Sequence, residues 1–220
     1  MLRHNRLMRS VVLFVGMSLD GYIARRDGSV DWLVVEPSYD FKGFFDSIDV
    51  VLMGRKTADV APQQGGMGSM GKMEEYVFSR SKPPGKRGRV EYTNQPPGVL
   101  IRELKARPGK DIWLMGGGEL AREFLREDVI DRIDLGVLPV LLGDGIPLFP
   151  SGFPERHFKL VKSRSYPGGM LELSYERARD VTPPSRSRTG RTSKRGRSQA
   201  TADKQQRADR SRRRGQSEET

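Results

Sequence analysis

The sequence predicts an α/β protein built on a mixed, mainly parallel sheet, and three observations carry that expectation. Short continuous apolar runs at residues 11–16 and 50–53 have the composition of central strands covered on both faces. Between them Phe41, Phe44, Phe45 and Ile48 recur at i, i+3, i+4 and i+7, which places four large side chains on one helical face and so a helix between the two strands. Near the end, residues 158–166, the turn Pro167-Gly168-Gly169 and the run from Met170 read as a closing antiparallel hairpin.

The remaining elements follow in chain order. The strand at 50–53 feeds a second helix that starts near Arg55. Residues 76–79, 89–93 and 111–115 read as strands, with a helix over 98–106 before the last of them and another over 119–127 after it. Ile133, Leu135 and Val137 alternate with Asp134 and Gly136, and Leu171, Leu173 and Tyr175 alternate with Glu172, Ser174 and Glu176, the pattern of half-buried strands. The total is about eight strands and about four helices, with parallel crossovers first and the hairpin last. Residues 63–72 hold Gly65, Gly66, Gly68, Gly71, Met67 and Met70 with no apolar period, so a surface loop and a lid over a site both remain open.

Composition narrows the function. The 220 residues include no cysteine and only two histidines, His4 and His157. That excludes a disulfide framework and a cysteine-ligated zinc site, and it leaves almost nothing for a His-based triad or a multi-histidine metal centre. The longest apolar stretches, 11–17 and 135–142, are far short of the ~18 residues of a membrane-spanning helix. Arg3, Arg6 and Arg9 precede an apolar run, but it is short for a signal peptide and no small-residue cleavage pattern follows. A first core strand and a cytoplasmic location are therefore expected.

Charge marks the domain boundary. Residues 180–220 hold 12 Lys+Arg against 5 Asp+Glu, so +7 of the formal +11 lies there. Residues 181–220 offer only Val181, Ala200, Ala202 and Ala208 as apolar side chains, too few to offset the entropy of ordering. The expected organisation is a flexible N-terminus over 1–9, one domain over 10–179 and a disordered Arg/Ser-rich basic tail over 180–220.

The motifs with chemical content stand where predicted strands end. Ile112-Trp113-Leu114-Met115 runs into Gly116-Gly117-Gly118-Glu119-Leu120 and a helix, so bare backbone N–H groups face the strand end; phosphate binding and plain turn geometry both account for this. Leu52-Met53-Gly54-Arg55-Lys56-Thr57 sets two cations and a hydroxyl at a helix start, which suits an anionic ligand or a solvated pair. Val77-Phe78-Ser79-Arg80-Ser81 ends a strand in groups able to fork onto a phosphate monoester. Three anion-suited strand ends in one domain point to a polyphosphate, with a dinucleotide bearing an extra phosphate as the economical choice. Neither G-x-G-x-x-G nor G-x-x-x-x-G-K-[ST] occurs, which argues against a standard Rossmann or P-loop site. The turn around Asp20 and the apolar loop 138–149 complete the candidate pocket without naming a reaction.

Taken in order, Met17-Ser-Leu-Asp-Gly-Tyr-Ile-Ala24, Met53-Gly-Arg-Lys-Thr57, Val77-Phe-Ser-Arg80, Ile112-Trp-Leu-Met-Gly-Gly-Gly-Glu-Leu120 and Pro139-Val-Leu-Leu-Gly-Asp-Gly-Ile-Pro-Leu-Phe149 resemble the reductase domain of the bifunctional riboflavin-biosynthesis deaminase-reductase, of the dihydrofolate reductase superfamily. The resemblance spans about residues 10–178. It implies a dihydrofolate-reductase-like fold, NADPH as hydride donor, and 5-amino-6-(5-phosphoribosylamino)uracil or a related pyrimidine or pterin as substrate. By motif, Gly54, Arg55, Lys56 and Thr57 with Ser79 and Arg80 would hold the ribose 2′-phosphate and neighbouring phosphates, and Gly116, Gly117, Gly118, Glu119 and Leu120 would cradle the pyrophosphate. Asp20 would be the catalytic group, orienting an amide or relaying a proton, with Gly21, Leu141, Gly143 and Gly145 on the substrate side and no metal. Homodimers are common in that family, which makes a second copy a candidate partner.

The chain departs from that family in three ways. It lacks the zinc-binding deaminase half, its 63–73 segment has an unfamiliar Gly/Met composition, and the basic tail lies outside the pattern. The tail supports an alternative reading, a nucleic-acid-associated or ligand-sensing protein with a non-catalytic reductase fold, in which residues 186–197 and 207–214 make weak, salt-sensitive phosphate contacts. The bland alternative is a solubilising extension, since no aromatic residue is present there for base stacking.

Overall fold

The computed structural model describes residues 9–34, 36–60 and 73–179. The chain separates into two units, Met1–Val181 and Thr182–Thr220, and every element below belongs to the first. The expectations for the N-terminus before Arg9, the 63–72 segment and the 180–220 tail lie outside the described residues. In order the elements are β1 (Val11–Ser18), β2 (Tyr22–Ala24), α1 (Phe41–Asp46), β3 (Ile48–Gly54), α2 (Arg55–Val60), β4 (Glu74–Phe78), β5 (Gly85–Arg87), β6 (Val90–Thr93), α3 (Pro97–Ala106), β7 (Asp111–Gly116), α4 (Gly118–Arg126), β8 (Arg132–Leu138), β9 (Ile146–Pro147), β10 (Phe158–Ser165) and β11 (Leu171–Arg177).

Among the described residues, nine strands form one sheet in the order β10-β11-β8-β1-β7-β3-β4-β6-β5. The six from β8 to β6 are mutually parallel, whereas β11, β10 and, at the far edge, β5 run antiparallel to their neighbours. All six parallel strands therefore end on one edge of the sheet. β7 lies between β1 and β3, so the chain leaves β1 toward one side and β7 toward the other, and the connections part at that point.

Side-chain alternation along β1 explains the two cores. Val11 and Leu13 enter one cluster with α3 and α4, through Leu100, Leu104, Ala121 and Phe124, while Val12 enters the opposite cluster with Phe44 of α1 and Trp113. Val11, Val12 and Leu13 are fully buried, and each such side chain contributes about 1.5–3 kcal/mol relative to exposure. Arg9 is buried just before the strand, where it donates to the carbonyls of Lys110 (2.6 Å) and Leu104 (3.1 Å) and pairs with Asp49.

The helix expected over 41–48 is shorter. Asp40 caps its start by accepting from the Gly43 N–H at 2.8 Å. Its end is set by Ser47, whose N–H and hydroxyl both donate to the Phe44 carbonyl, at 3.0 and 2.7 Å. Ile48 consequently leaves the helical face and opens β3, where it is buried. Three further strands escaped the sequence pattern: β2, β5 and β9 have two or three residues each, too few to show a period. No helix among the described residues is long and apolar enough to cross a membrane.

Candidate functional site

A cleft of about 1640 Å³ runs along the edge where the parallel strands end. Its floor takes Phe14 and Gly16 from β1, Gly54 from β3, Phe78 from β4, Met115 from β7 and Leu138 from β8. Ligand sites commonly hold roughly 300–1,000 Å³, so this volume suits a cofactor and a substrate together.

One half of the cleft is polar. At the end of β7, Gly117 precedes α4 and offers no capping side chain, which leaves the first-turn N–H groups open to an anion. The Gly116–Gly117 peptide bond is cis, and Gly116 has φ of +100°, a conformation that L side chains rarely adopt. A Cβ on Gly117 would make ordinary contacts of 3.6 Å with Ile23 Cδ1 and the Thr57 hydroxyl, so the hydroxyl and the glycine backbone face a shared space.

The cations are arranged differently from the simplest reading of their motifs. Helix α2 has only six residues, so its dipole does not explain why two cations stand at its start; Arg55 instead pairs with Asp59 one turn on, at 2.8 Å. Lys56 is exposed and has no carboxylate partner among the described residues. Ser79 is buried, and its oxygen accepts from the N–H groups of Lys82 (2.9 Å) and Ser81 (3.3 Å), which leaves its own O–H to donate. The Arg80 side chain is 93% exposed and meets Glu119 at 3.4 Å, a contact of little strength that a ligand phosphate would outcompete.

Asp20 does not line the cleft. Its carboxylate accepts from the Ser18 hydroxyl (2.5 Å) and from the backbone N–H groups of Leu142 (3.0 Å) and Gly143 (2.7 Å). The Ser18 hydroxyl, followed by those two amides, holds the carboxyl below its usual range. The side chain thus ties the turn after β1 to the 138–145 loop. The same two segments are joined by the β2–β9 pair and by Gly145, where a Cβ would stand 2.4 Å from the Ala24 carbonyl oxygen.

The other half of the cleft is aromatic, and sequence reasoning did not place it there. Phe14, Tyr39, Phe41, Phe45 and Trp113 line it. Phe14 stacks on Tyr39 at 5.8 Å, Tyr39 meets Phe41 at 4.6 Å, and Phe45 meets Trp113 at 5.7 Å between ring centroids. Burial, followed by the charges of Glu172 and Asp134, raises the Tyr39 phenol, so it stays protonated. Glu36 adds a carboxylate to this half; Ser38 donates to it from its hydroxyl (2.6 Å) and its N–H (3.3 Å). The available signal was the density of rings from Trp32 to Phe45, of which Phe41, Phe44 and Phe45 alone carry a helical period.

Of the residues selected from sequence, Gly54, Arg55, Lys56, Thr57, Ser79, Arg80, Gly117, Gly118, Glu119, Leu120 and Gly145 line the cleft. Gly116 is buried in the turn behind it, and Asp20, Gly21, Leu141 and Gly143 belong to the tied loops outside the lining. No group of three or more metal-ligating side chains occurs among the described residues.

Comparison with known proteins gives this geometry a lineage. The Bacillus subtilis (strain 168) uncharacterized proteins YyaP and YwjB are 32% and 34% identical to the chain, over 78% and 77% of it and 97% and 99% of their own lengths. A solved protein from Shewanella sp. PV-4, assigned to riboflavin biosynthesis, is 28% identical with a TM-score of 0.68, covering 77% of this chain and 99% of its own. The Thermotoga maritima diaminohydroxyphosphoribosylaminopyrimidine deaminase/5-amino-6-(5-phosphoribosylamino)uracil reductase shares the fold at 18% identity and a TM-score of 0.60, over 78% of this chain and 57% of that one. The model of the RibD C-terminal domain matches residues 9–171, and the chain belongs to that family of reductase domains.

Proposed function

We propose that the chain is an NADPH-dependent reductase of the riboflavin-biosynthesis type, acting by hydride transfer on a pyrimidine or pterin. The observation that carries this reading is the division of one cleft into a polar half, with Thr57, Ser79, Arg80 and the Gly117 backbone, and an aromatic half around Phe14 and Trp113. When bound beside Gly117, Ser79 and Arg80, NADPH would supply the hydride for reduction of a C=N carbon, and solvent water would supply the proton to the nitrogen.

The residues fit that cofactor. The open N–H groups before α4 suit a pyrophosphate, and the space beside Gly117 admits its close approach. Lys56, Ser79 and Arg80 offer charge and donors to a phosphate on the adenosine ribose. On the other half the rings orient a planar acceptor, so the chain's contribution is positioning rather than proton transfer. Asp20 serves as a positioning residue: its ionised carboxylate fixes the loop beside the cleft. Titration with NADPH and NADH, followed by a screen of pyrimidines and pterins for NADPH oxidation, tests cofactor and chemistry together. Absence of NADPH binding defeats the reading.

A further inference from the structure

The net charge of residues 1–179 is concentrated in one hairpin. Those residues hold 27 Lys+Arg against 23 Asp+Glu, a net +4, and residues 80–91 alone hold Arg80, Lys82, Lys86, Arg87 and Arg89 against Glu91, also +4. Everything else in that stretch sums to zero. The segment contains β5 and most of β6, at the edge of the sheet beyond β4.

Local geometry gathers these cations near the polar end of the cleft. The Ser79 N–H donates to the Thr93 carbonyl at 2.9 Å, which joins the end of β4 to the end of β6, and Ser79, Arg80 and Thr93 all line the cleft. Lys82 folds back over the Tyr92 ring, with Nζ 4.9 Å from the centroid and 3.3 Å from the phenol oxygen, and Arg87 lies 5.0 Å from the same centroid. Lys86 stands across from Glu91 and Arg87 across from Val90. At about 3.3 Å per residue, those two positions on β6 lie roughly 7–10 Å from Thr93. That is within the ~10 Å over which charge acts in 0.1 M salt. Yet Lys82, Lys86, Arg87 and Arg89 stand outside the lining of the cleft.

Protection of a sheet edge does not require such an excess of one sign. At the opposite edge β10 sets Lys159 across from Glu176 and Arg164 across from Glu172, so its cations have carboxylates beside them. A field of one sign beside a cleft instead raises the rate at which an oppositely charged ligand arrives. We infer that the 80–91 hairpin guides NADPH into the cleft, with Lys82, Lys86, Arg87 and Arg89 acting on the encounter rather than in the bound complex. This rests on the reductase reading. The ribose phosphate adds about 1.5–2 negative charges to those of the pyrophosphate, so guidance favours NADPH over NADH before either touches the site.

Stopped-flow mixing, followed by the fluorescence of NADPH or NADH, separates arrival from departure. The variants are Lys86→Gln with Arg87→Gln, and Lys86→Glu alone, which keeps Arg87 on the Tyr92 ring. In low salt each is expected to slow NADPH association about fivefold and NADH association less, with dissociation unchanged. The difference from wild type is expected to vanish near 1 M salt, where screening acts within about 3 Å. Unchanged association, a loss carried by faster dissociation, or a deficit that persists in high salt overturns the inference. A wild type that binds no NADPH at any salt defeats the reductase reading and the guidance with it, whereas NADPH binding with salt-insensitive association defeats the guidance alone.

Discussion

A Cβ built on Gly118 would stand 2.1 Å from the carbonyl oxygen of Pro147 and 3.2 Å from that of Leu148, so the start of α4 is pressed against the strand that follows the 138–145 loop. Both obstacles are backbone and neither can rotate away. Gly118→Ala is expected to cost about 1–3 kcal/mol through overpacking, which lowers Tm by roughly 2–4 °C per kcal/mol in a domain of this size. Thermal unfolding checks it. The neighbouring Gly117→Ala meets only 3.6 Å contacts and is expected to keep the fold better while narrowing the cleft and weakening NADPH; equal NADPH affinity in that variant would make the turn purely structural.

Arg80 tests the choice between cofactors. Its side chain is almost fully solvated and loosely paired, so its removal disturbs little in the free protein. A lost charge-assisted bond to the extra phosphate, about 1.5 kcal/mol at such an exposed position, corresponds to roughly tenfold in affinity. Arg80→Ala is therefore expected to weaken NADPH about tenfold and NADH hardly at all, as read by parallel titrations. Equal losses would assign Arg80 to the shared pyrophosphate.

Asp20→Asn separates positioning from proton transfer. The asparagine keeps one acceptor but loses the charge that holds the Leu142 and Gly143 amides. Hydrogen exchange at those two amides is expected to accelerate, with a weaker KM and an unchanged pH profile of kcat. Disappearance of an acidic limb from that profile would instead show a direct proton role.

Asp131 sets an acid limit on the fold. Burial alone would raise its carboxyl, but bonds from Lys105 (2.5 Å), the Val11 N–H (2.8 Å) and Arg179 (2.8 Å) outweigh that and lower it. A carboxyl depressed in the folded state contributes stability that is complete above the unfolded value, about 3.9, and is lost as pH falls through the folded one. Wild-type Tm is expected to drop on acidification below about pH 4, and Asp131→Asn to start lower and fall less steeply over that range. Parallel slopes would remove Asp131 from the account.

How much of this was legible depends on length scale. The central strands and α3 and α4 have enough residues to display their period, so β1, β3, β7 and both helices were readable. The short β2 and β9 exist only as each other's partner, a relation between residues more than a hundred positions apart that no local pattern encodes. The same reason hid the role of Asp20, whose acceptors look unassigned until Leu142 and Gly143 are folded beside it. Glycines at strand ends were legible because backbone approach demands a missing side chain. The aromatic half was not, because a ring that builds the core and a ring that faces a ligand have the same sequence signature.

Phe14 occupies both roles. It closes on Phe44 at 4.1 Å inside the core while its neighbours Tyr39 and Trp113 face the cleft. Divergence of selectivity within such a scaffold is therefore channelled: Phe14 and Trp113 are constrained by folding, whereas Val34, 74% exposed at the same cleft, is free to vary. New specificities on this frame would arise first along the segment that carries Leu33, Val34 and Glu36, and the ring behind it would change last.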